Sequence, residues 1–318
     1  MKSKKTLVSG SLAYDHIMDF PGRFADHILP DKIHILNVSF LVDTLKKQWG
    51  GTAGNIAYNL ALLREKPTVL ATAGRDFTPY KKRLKSAGVD VSHIKEYQGD
   101  LTPTSFVMTD AADNQIAGFY LGVMSQSSKL PIKQTKVKYD LAIISPNDPT
   151  AMVNLARECR KLRIPYIFDP GQQIPRLDPK DILDCIEGAR VVIGNDYEME
   201  LIRRKSGASN SKILGSVEAL IITKGSEGSE ILTSGGNYFI PSVKAKETID
   251  PTGAGDAYRA GLIKGMLNDL TWVQCGQLGA LCAVYAVEKY GTQEHTYLPA
   301  QFRARFAKNF GDFPPIAI

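Results

Sequence analysis

The chain has 318 residues, enough for one large α/β domain or two medium ones with a substantial core. Its 43% hydrophobic and 23% charged residues are ordinary for a globular protein, and its longest apolar run, residues 278–287, is closed by Glu288 and Lys289 well short of the roughly 18 residues a membrane span needs. The net charge of +6 is scattered in pairs such as Lys46-Lys47 and Lys81-Lys82, not gathered on an aromatic-interleaved face, so neither a nucleic acid nor a membrane is an expected partner; a modest positive field also suits a polyanionic nucleotide.

The chain opens with Lys2, Lys4 and Lys5, but Asp15 and His16 interrupt the apolar run that follows and no small-residue cleavage site appears, so the expected location is cytoplasmic. A first strand ends at Gly10-Ser11-Leu12-Ala13-Tyr14-Asp15. Residues 33–42 then mix β-branched and aromatic residues with polar interruptions. Gly50-Gly51-Thr52-Ala53-Gly54-Asn55 reads as a Gly-rich turn opening a helix. Residues 67–73 predict a strand and 78–87 a helix. Residues 104–121 again show a β-type pattern, broken at 110–114 (DAADN) by a hairpin turn. Residues 141–145 (LAIIS) predict a buried strand and 149–162 an amphipathic helix. Residues 164–168, 191–193 and 219–223 repeat the strand signal, with a helix opened by Asn195-Asp196-Tyr197-Glu198 between the last two. Strands alternating with helices imply right-handed crossovers: an α/β fold with a mostly parallel sheet sandwiched by helices and ligands beyond the carboxyl ends of its strands. The two irregular regions predict a small antiparallel β lid, inserted at about 14–49 and 97–124 into a single domain spanning 1–318. The scattered cysteines, Cys159, Cys185, Cys275 and Cys282, have no metal-binding spacing and read as buried hydrophobes in a reducing compartment.

Three segments carry chemistry. In Asp250-Pro251-Thr252-Gly253-Ala254-Gly255-Asp256, small residues at a helix start leave backbone N–H groups free to cradle a phosphate, and Asp256 in the first turn is placed to accept a proton from an attacking hydroxyl. This is not a Walker A loop, which needs a Lys after the second glycine. Gly50-Gly51 permits close backbone approach to a ligand, and Asn55 one turn on offers a donor and an acceptor to a sugar hydroxyl. Asp15, at the end of the first strand, is suited to a vicinal diol. Each segment taken alone is equally an ordinary helix start or turn.

Together and in this order, the two Gly-rich segments resemble the paired signatures of the ribokinase-like (phosphofructokinase-B-like) family of carbohydrate and nucleoside kinases. In detail Pro21-Gly22-Arg23-Phe24, Ser39-Phe40-Leu41-Val42-Asp43, Gln172-Gln173 after Asp169-Pro170, Asn195-Asp196-Tyr197-Glu198 and Gly291-Thr292-Gln293-Glu294 resemble bacterial adenosine kinases of the mycobacterial type. The resemblance implies an ATP-dependent adenosine kinase with Asp256 as catalytic base and Gly253, Ala254 and Gly255 as anion hole. It implies that Asp15, Gly51 and Asn55 hold the ribose, with Ser11 and Ser39 nearby. Phe106 and Phe119 on the two lid strands would flank the purine, and Gln172 and Gln173 would add polar contacts. Asn195 and Glu198 match an N-x-x-E motif that organises Mg²⁺ and the ATP phosphates through water, while Thr223, Gly225 and Gly228 would line the ATP site. Kinases for another nucleoside or for free ribose share this core, and a non-catalytic nucleoside-binding protein would have no need of Asp256. Pro251 departs from the Thr of many relatives. Lys289 and His295 flank the segment around Gly291 where relatives bind a monovalent cation, which leaves K⁺ activation open. Lid sheets in the family can pair into dimers, so the resemblance leaves two ways to cover an exposed sheet: a homodimer through the lid, or closure of the lid.

Overall fold

The computed structural model describes residues 4–112 and 114–318; Lys2 of the basic start and Asp113 of the predicted hairpin turn lie outside the described residues. In chain order the strands are β1 (Thr6–Ser9), β2 (Ala13–Asp19), β3 (Thr44–Gly50), β4 (Thr68–Gly74), β5 (Ile94–Tyr97), β6 (Thr104–Thr109), β7 (Gln115–Tyr120), β8 (Leu141–Ile144), β9 (Tyr166–Phe168), β10 (Val191–Asn195), β11 (Ala219–Thr223), β12 (Ser229–Thr233) and β13 (Gly236–Ile240). The helices are α1 (Thr52–Leu62), α2 (Thr78–Ala87), α3 (Pro149–Leu162), α4 (Pro179–Ile186), α5 (Asp196–Ser206), α6 (Asn210–Leu214), α7 (Ala254–Leu267), α8 (Trp272–Val287) and α9 (Pro299–Phe310).

Nine strands form one sheet in the order β13-β12-β11-β10-β9-β8-β1-β4-β5. Pairing is parallel from β11 through β5 and antiparallel only at β12 and β13. Strands such as LAII and ALIIT are apolar at every position because both faces are covered, and alternation sends their side chains into two cores. Val8, Ile143, Ile193 and Ile221 pack with α1, α2, α7 and α8; Ala142, Ile144, Val192 and Leu220 pack with α3, α4 and α5. Each such aliphatic side chain fully withdrawn from water contributes about 1.5–3 kcal/mol before the entropy of ordering is charged against it. Helix starts follow their caps. Asp148 accepts the N–H of Ala151 at 3.0 Å with Pro149 at the first helical position, and Asn195 and Glu198 form a reciprocal capping box that opens α5. All four cysteines are buried and free. Among the described residues no helix is long and apolar enough to cross a membrane.

A second, four-stranded sheet has the order β3-β2-β6-β7. It is antiparallel within each of its two halves and parallel where β2 meets β6, since the halves come from two separate places in the chain. The strands differ from expectation in two places. The first strand ends at Ser9, so Asp15, expected at its end, lies within β2 instead. Residues 33–42 contribute no strand: a 3-10 helix spans Pro30–Ile35, and pairing begins only at Thr44. Composition favours β structure there, but no neighbouring strand offers a partner, and Ile33, Ile35, Leu36 and Leu41 remain exposed. The loop is pinned instead by aromatic packing of Phe40 on Phe20 and Phe24, with ring centroids 4.9 and 5.1 Å apart. The Asp110 carboxylate accepts the N–H groups of Phe24, Ala112 and Asn114, each at 2.9 Å.

Candidate active site

A cavity of about 630 Å³ opens beyond the carboxyl ends of β1, β8, β9 and β10, at the place where ligands bind in parallel sheets. Ser11, Pro146, Asp169 and Asn195 come from those strand ends, and the first turns of α1 and α7 enter from one side. The small sheet contributes Asp15, Ser105 and Phe119. A second cavity of about 720 Å³ runs between the β11–β12 turn, residues 242–248 and the faces of α7 and α8. The two share Thr223, Gly225 and Gly255, so they meet at the N-terminus of α7.

That N-terminus leaves backbone donors unengaged among the described residues. Gly253 caps α7 at φ 79°, a left-handed conformation that favours glycine, and a side chain there would press on Thr292. The N–H groups of Gly253, Gly255 and Asp256 have no backbone acceptor among the described residues, so they and the helix dipole face the cavities with their hydrogen-bonding capacity intact. The turn is tied down from behind, because the Asp250 carboxylate accepts the N–H of Thr252 and of Gly291, each at 2.9 Å. Asp256 sits half-buried at the floor of the first cavity. Burial pushes its carboxyl up to about 7; the charge of Arg259 and the amide of Asn55 pull downward, while Asp169 and Glu198 add to the rise. A carboxylate poised near neutrality is suited to general-base work.

Asn55, 4% exposed in the first turn of α1, donates from Nδ2 to Asp256 Oδ2 at 2.8 Å. Gly51 precedes it at φ 83°, where a Cβ would lie 2.5 Å from the Ser11 carbonyl oxygen, so only glycine lets β1's end and α1's start approach this closely. Asp15 on β2 is half-buried on the cavity side, and burial together with the Asp250 charge pushes it up to about 6. Along the small sheet Asp15 stands opposite Ser105, and Ser105 opposite Phe119. These three therefore share the face turned to the cavity.

Ser11, Asp15, Gly51, Asn55, Phe119, Gln172, Asn195, Thr223, Gly225, Gly253, Gly255, Asp256 and Glu198 all line the first cavity. Gly228 and Ala254 line the second. Three expected residues are elsewhere. Phe106 pairs with Gly118, one residue out of step with Phe119, so it lies on the opposite face and stacks on His16 at 5.0 Å. The pair therefore does not flank a common ligand: period-two alternation separates them. Ser39 is exposed in the 33–42 loop, away from the cavity. Gln173 turns inward, 6% exposed, and accepts from Arg176 at 3.3 Å. Asn195 and Glu198 serve first as a capping box, Glu198 accepting the Asn195 N–H at 2.8 Å while still lining the cavity. Burial raises the Glu198 carboxyl, and the nearby Asp169 charge adds to the effect.

Arg259 and Asp169, to which the sequence assigned no role, also line the cavity. Arg259, one turn beyond Asp256 on α7, grips Asp169 through Nε at 2.6 Å and Nη2 at 2.5 Å, while its Nη1 donates to the Gly255 carbonyl at 3.0 Å. Ser145 completes the arrangement by donating to Asp169 at 2.9 Å. The only signal available was a lone arginine in a stretch of small and apolar residues, Ala257-Tyr258-Arg259-Ala260-Gly261.

Comparison with known proteins agrees with this geometry. The model of the pfkB family of carbohydrate kinases matches residues 12–300. A nucleoside kinase of Methanocaldococcus jannaschii is 31% identical over 303 residues, 94% of each chain. A nucleoside kinase of Burkholderia thailandensis, solved in complex with inosine, superposes with a TM-score of 0.87 at 38% identity, covering 96% of this chain and 98% of that one. A ribokinase of Cryptococcus neoformans in complex with ADP shares the fold, with a TM-score of 0.76 at 18% identity over 95% of this chain and 100% of that one. With Asp256 beside the junction of two cavities and the unengaged N–H groups of a helix start next to it, the chain belongs to the pfkB family of carbohydrate kinases and is an ATP-dependent phosphotransferase acting on a hydroxyl group.

Proposed function

We propose that the chain transfers the γ-phosphoryl group of ATP to the 5′-hydroxyl of a nucleoside, adenosine first among them, giving AMP and ADP. The observation that carries this is the meeting of the two cavities at Gly255, beside Asp256. The nucleoside occupies the cavity under the small sheet, its ribose held by Asp15, Gly51 and Asn55 and its base against Phe119. ATP occupies the second cavity, entering past Thr223, Gly225 and Gly228. Asp256 takes the proton of the 5′-hydroxyl as its oxygen bonds to the γ-phosphorus; the bond from that phosphorus to the bridging oxygen of ADP breaks, and ADP leaves. The free N–H groups at the start of α7 hold the charge on the transferring group.

Among the described residues no three His, Cys, Asp or Glu side chains are grouped to cage a metal. A Mg²⁺ ion arriving with the nucleotide would be held through water by Glu198 and Asn195, which line the first cavity, and would supply neutralisation of phosphate charge there. Asp250 engages the N–H groups of Thr252 and Gly291 with both oxygens, and His295 is held on Asn59, so potassium activation is no part of the proposal. Four buried thiols suit a cytoplasmic enzyme. The small sheet, inserted from two places, acts as a lid over the nucleoside. Its outward face exposes Leu45, Phe106, Ile116 and Tyr120, a surface suited to pairing with a second copy, which sedimentation reads directly.

Inosine is the second reading for the acceptor, favoured by its presence in the Burkholderia thailandensis relative. ADP formation across adenosine, inosine, guanosine, cytidine and ribose tests both: highest turnover on adenosine supports the first, on inosine the second, and turnover on ribose alone would sink the assignment of a base site. Phe119→Ala should weaken adenosine by about 1–3 kcal/mol, the worth of one stacked base, and leave ribose nearly unaffected. Phe106→Ala, on the far face, should leave the KM for adenosine unchanged. Equal losses from the two substitutions would mean that neither phenylalanine meets the base.

A further inference from the structure

Behind the cavity floor, Gln293 and Tyr80 begin a buried chain of hydrogen bonds that ends at Asp256. Gln293 is 1% exposed and Tyr80 0%, and neither lines a cavity. A backbone carbonyl sets the direction of this chain. The Gly50 oxygen only accepts, so the Tyr80 hydroxyl 2.8 Å away donates to it. The Tyr80 oxygen is left to accept, and its contact with Gln293 at 2.6 Å is made by the amide nitrogen, Nε2. The second proton on that nitrogen points to Asn55 Oδ1 at 3.0 Å. With Oδ1 engaged there, Asn55 turns Nδ2 to Asp256 at 2.8 Å.

Two further observations single out Gln293. Thr292 Oγ1 stands 2.8 Å from Asn55 Oδ1, but its one proton is also drawn to the Trp49 carbonyl at 2.6 Å, so it does not fix the amide alone. Gln293 keeps its orientation although its Oε1 is buried with no hydrogen-bond partner among the described residues. Turned the other way, that oxygen would face a Tyr80 oxygen whose proton is committed to Gly50.

We infer that Gln293, backed by Tyr80, is a positioning residue that decides which atom Asn55 shows to Asp256 and so keeps the carboxylate ready to accept a proton. The inference rests on Asp256 being the base of the proposed reaction. Asn55 reversed would present lone pairs to the carboxylate, a contact that suits the protonated acid, which accepts no proton from the hydroxyl. The other charges facing Asp256 are Arg259 on its own helix, Asp169 after β9 and Glu198 on α5; the hydrogen bonds of Gln293 among the described residues go to Tyr80, Asn55 and Arg83 instead. It also gives a task to Gly291-Thr292-Gln293-Glu294, which the reaction as described leaves unused.

The test is the pH dependence of kcat for the wild type, Gln293→Met and Tyr80→Phe, with thermal unfolding followed alongside. In Gln293→Met the acid limb should move up by about one pH unit, the scale of one charge-assisted hydrogen bond, with kcat recovering above it. Tyr80→Phe should move it the same way by less; it deletes a single oxygen and carries the test should Gln293→Met fail to fold. An unmoved limb with kcat lowered uniformly, or a change in KM alone, would overturn the inference and leave Asp256 as base untouched. A wild type with no acid limb would overturn the assignment of Asp256 itself.

Discussion

Asp256→Asn should lower kcat by about 10²–10⁴-fold, the usual contribution of a positioned general base, while nucleoside binding stays close to wild type. The substitution keeps the shape of the side chain and an oxygen that can still accept from Asn55 Nδ2, now 2.8 Å from the carboxylate. It removes only the capacity to take a proton. The free N–H groups at the start of α7 persist, so residual transfer should remain measurable. Calorimetry with adenosine and steady-state ADP release separate the two effects. The pH profile provides an independent check with a definite sign. Because burial pushes Asp256 up to about 7, the ionised, proton-accepting form is lost as pH falls through neutrality. Wild-type kcat should therefore fall below about pH 7 with unit slope and level off above it. A near-normal kcat in Asp256→Asn would remove Asp256 from the reaction.

Asp169→Ala is expected to destabilise the fold by about 3–5 kcal/mol, the cost of breaking a buried ion pair from one side. Asp169 is 1% exposed and Arg259 7%, and the bidentate contact between them engages two of the five guanidinium N–H groups. Without Asp169 the guanidinium keeps the Gly255 carbonyl as its hydrogen-bond partner, with the carboxylates of Asp256 and Glu198 acting on it only through space. Urea unfolding monitors the loss. Replacing both partners, Asp169→Leu with Arg259→Met, should recover most of that stability, because no charge is stranded. Activity should not return with it, since Arg259 and Asp169 line the cavity and their charges act on Asp256. A single Asp169→Ala variant as stable as wild type would mean that Arg259 finds another partner or escapes to solvent.

Much of this architecture was legible because its physics is local. Strands covered on both faces read as unbroken apolar runs, as in 141–145 and 219–223, and the bounds of α2 and α3 follow from Pro, Asp and Gly or Arg at their ends. The start of α7 was legible as a helix start because small residues precede Asp256, and its chemical role only through its pairing with Gly50-Gly51 in the same chain. What escaped depends on partners distant in sequence. TLKKQWG pairs as β3 with polar side chains turned to water, while the more β-like 33–42 finds no neighbour and stays a loop. Which of Phe106 and Phe119 faces the cavity is decided by hairpin register, a matter of single-residue parity that composition does not record. The inward turn of Arg259 became meaningful only with Asp169 brought across from β9.

The most direct test of phosphoryl transfer to a nucleoside 5′-hydroxyl is ADP formation from ATP and Mg²⁺ with adenosine set against 5′-deoxyadenosine. The two share the base, the 2′,3′-diol and every contact proposed for Phe119, Asp15 and Asn55, and differ only in the attacking oxygen. Turnover with adenosine, AMP as the product, and no turnover above background with 5′-deoxyadenosine is the predicted result. Equal ADP release from both, or release that needs no nucleoside, would contradict it.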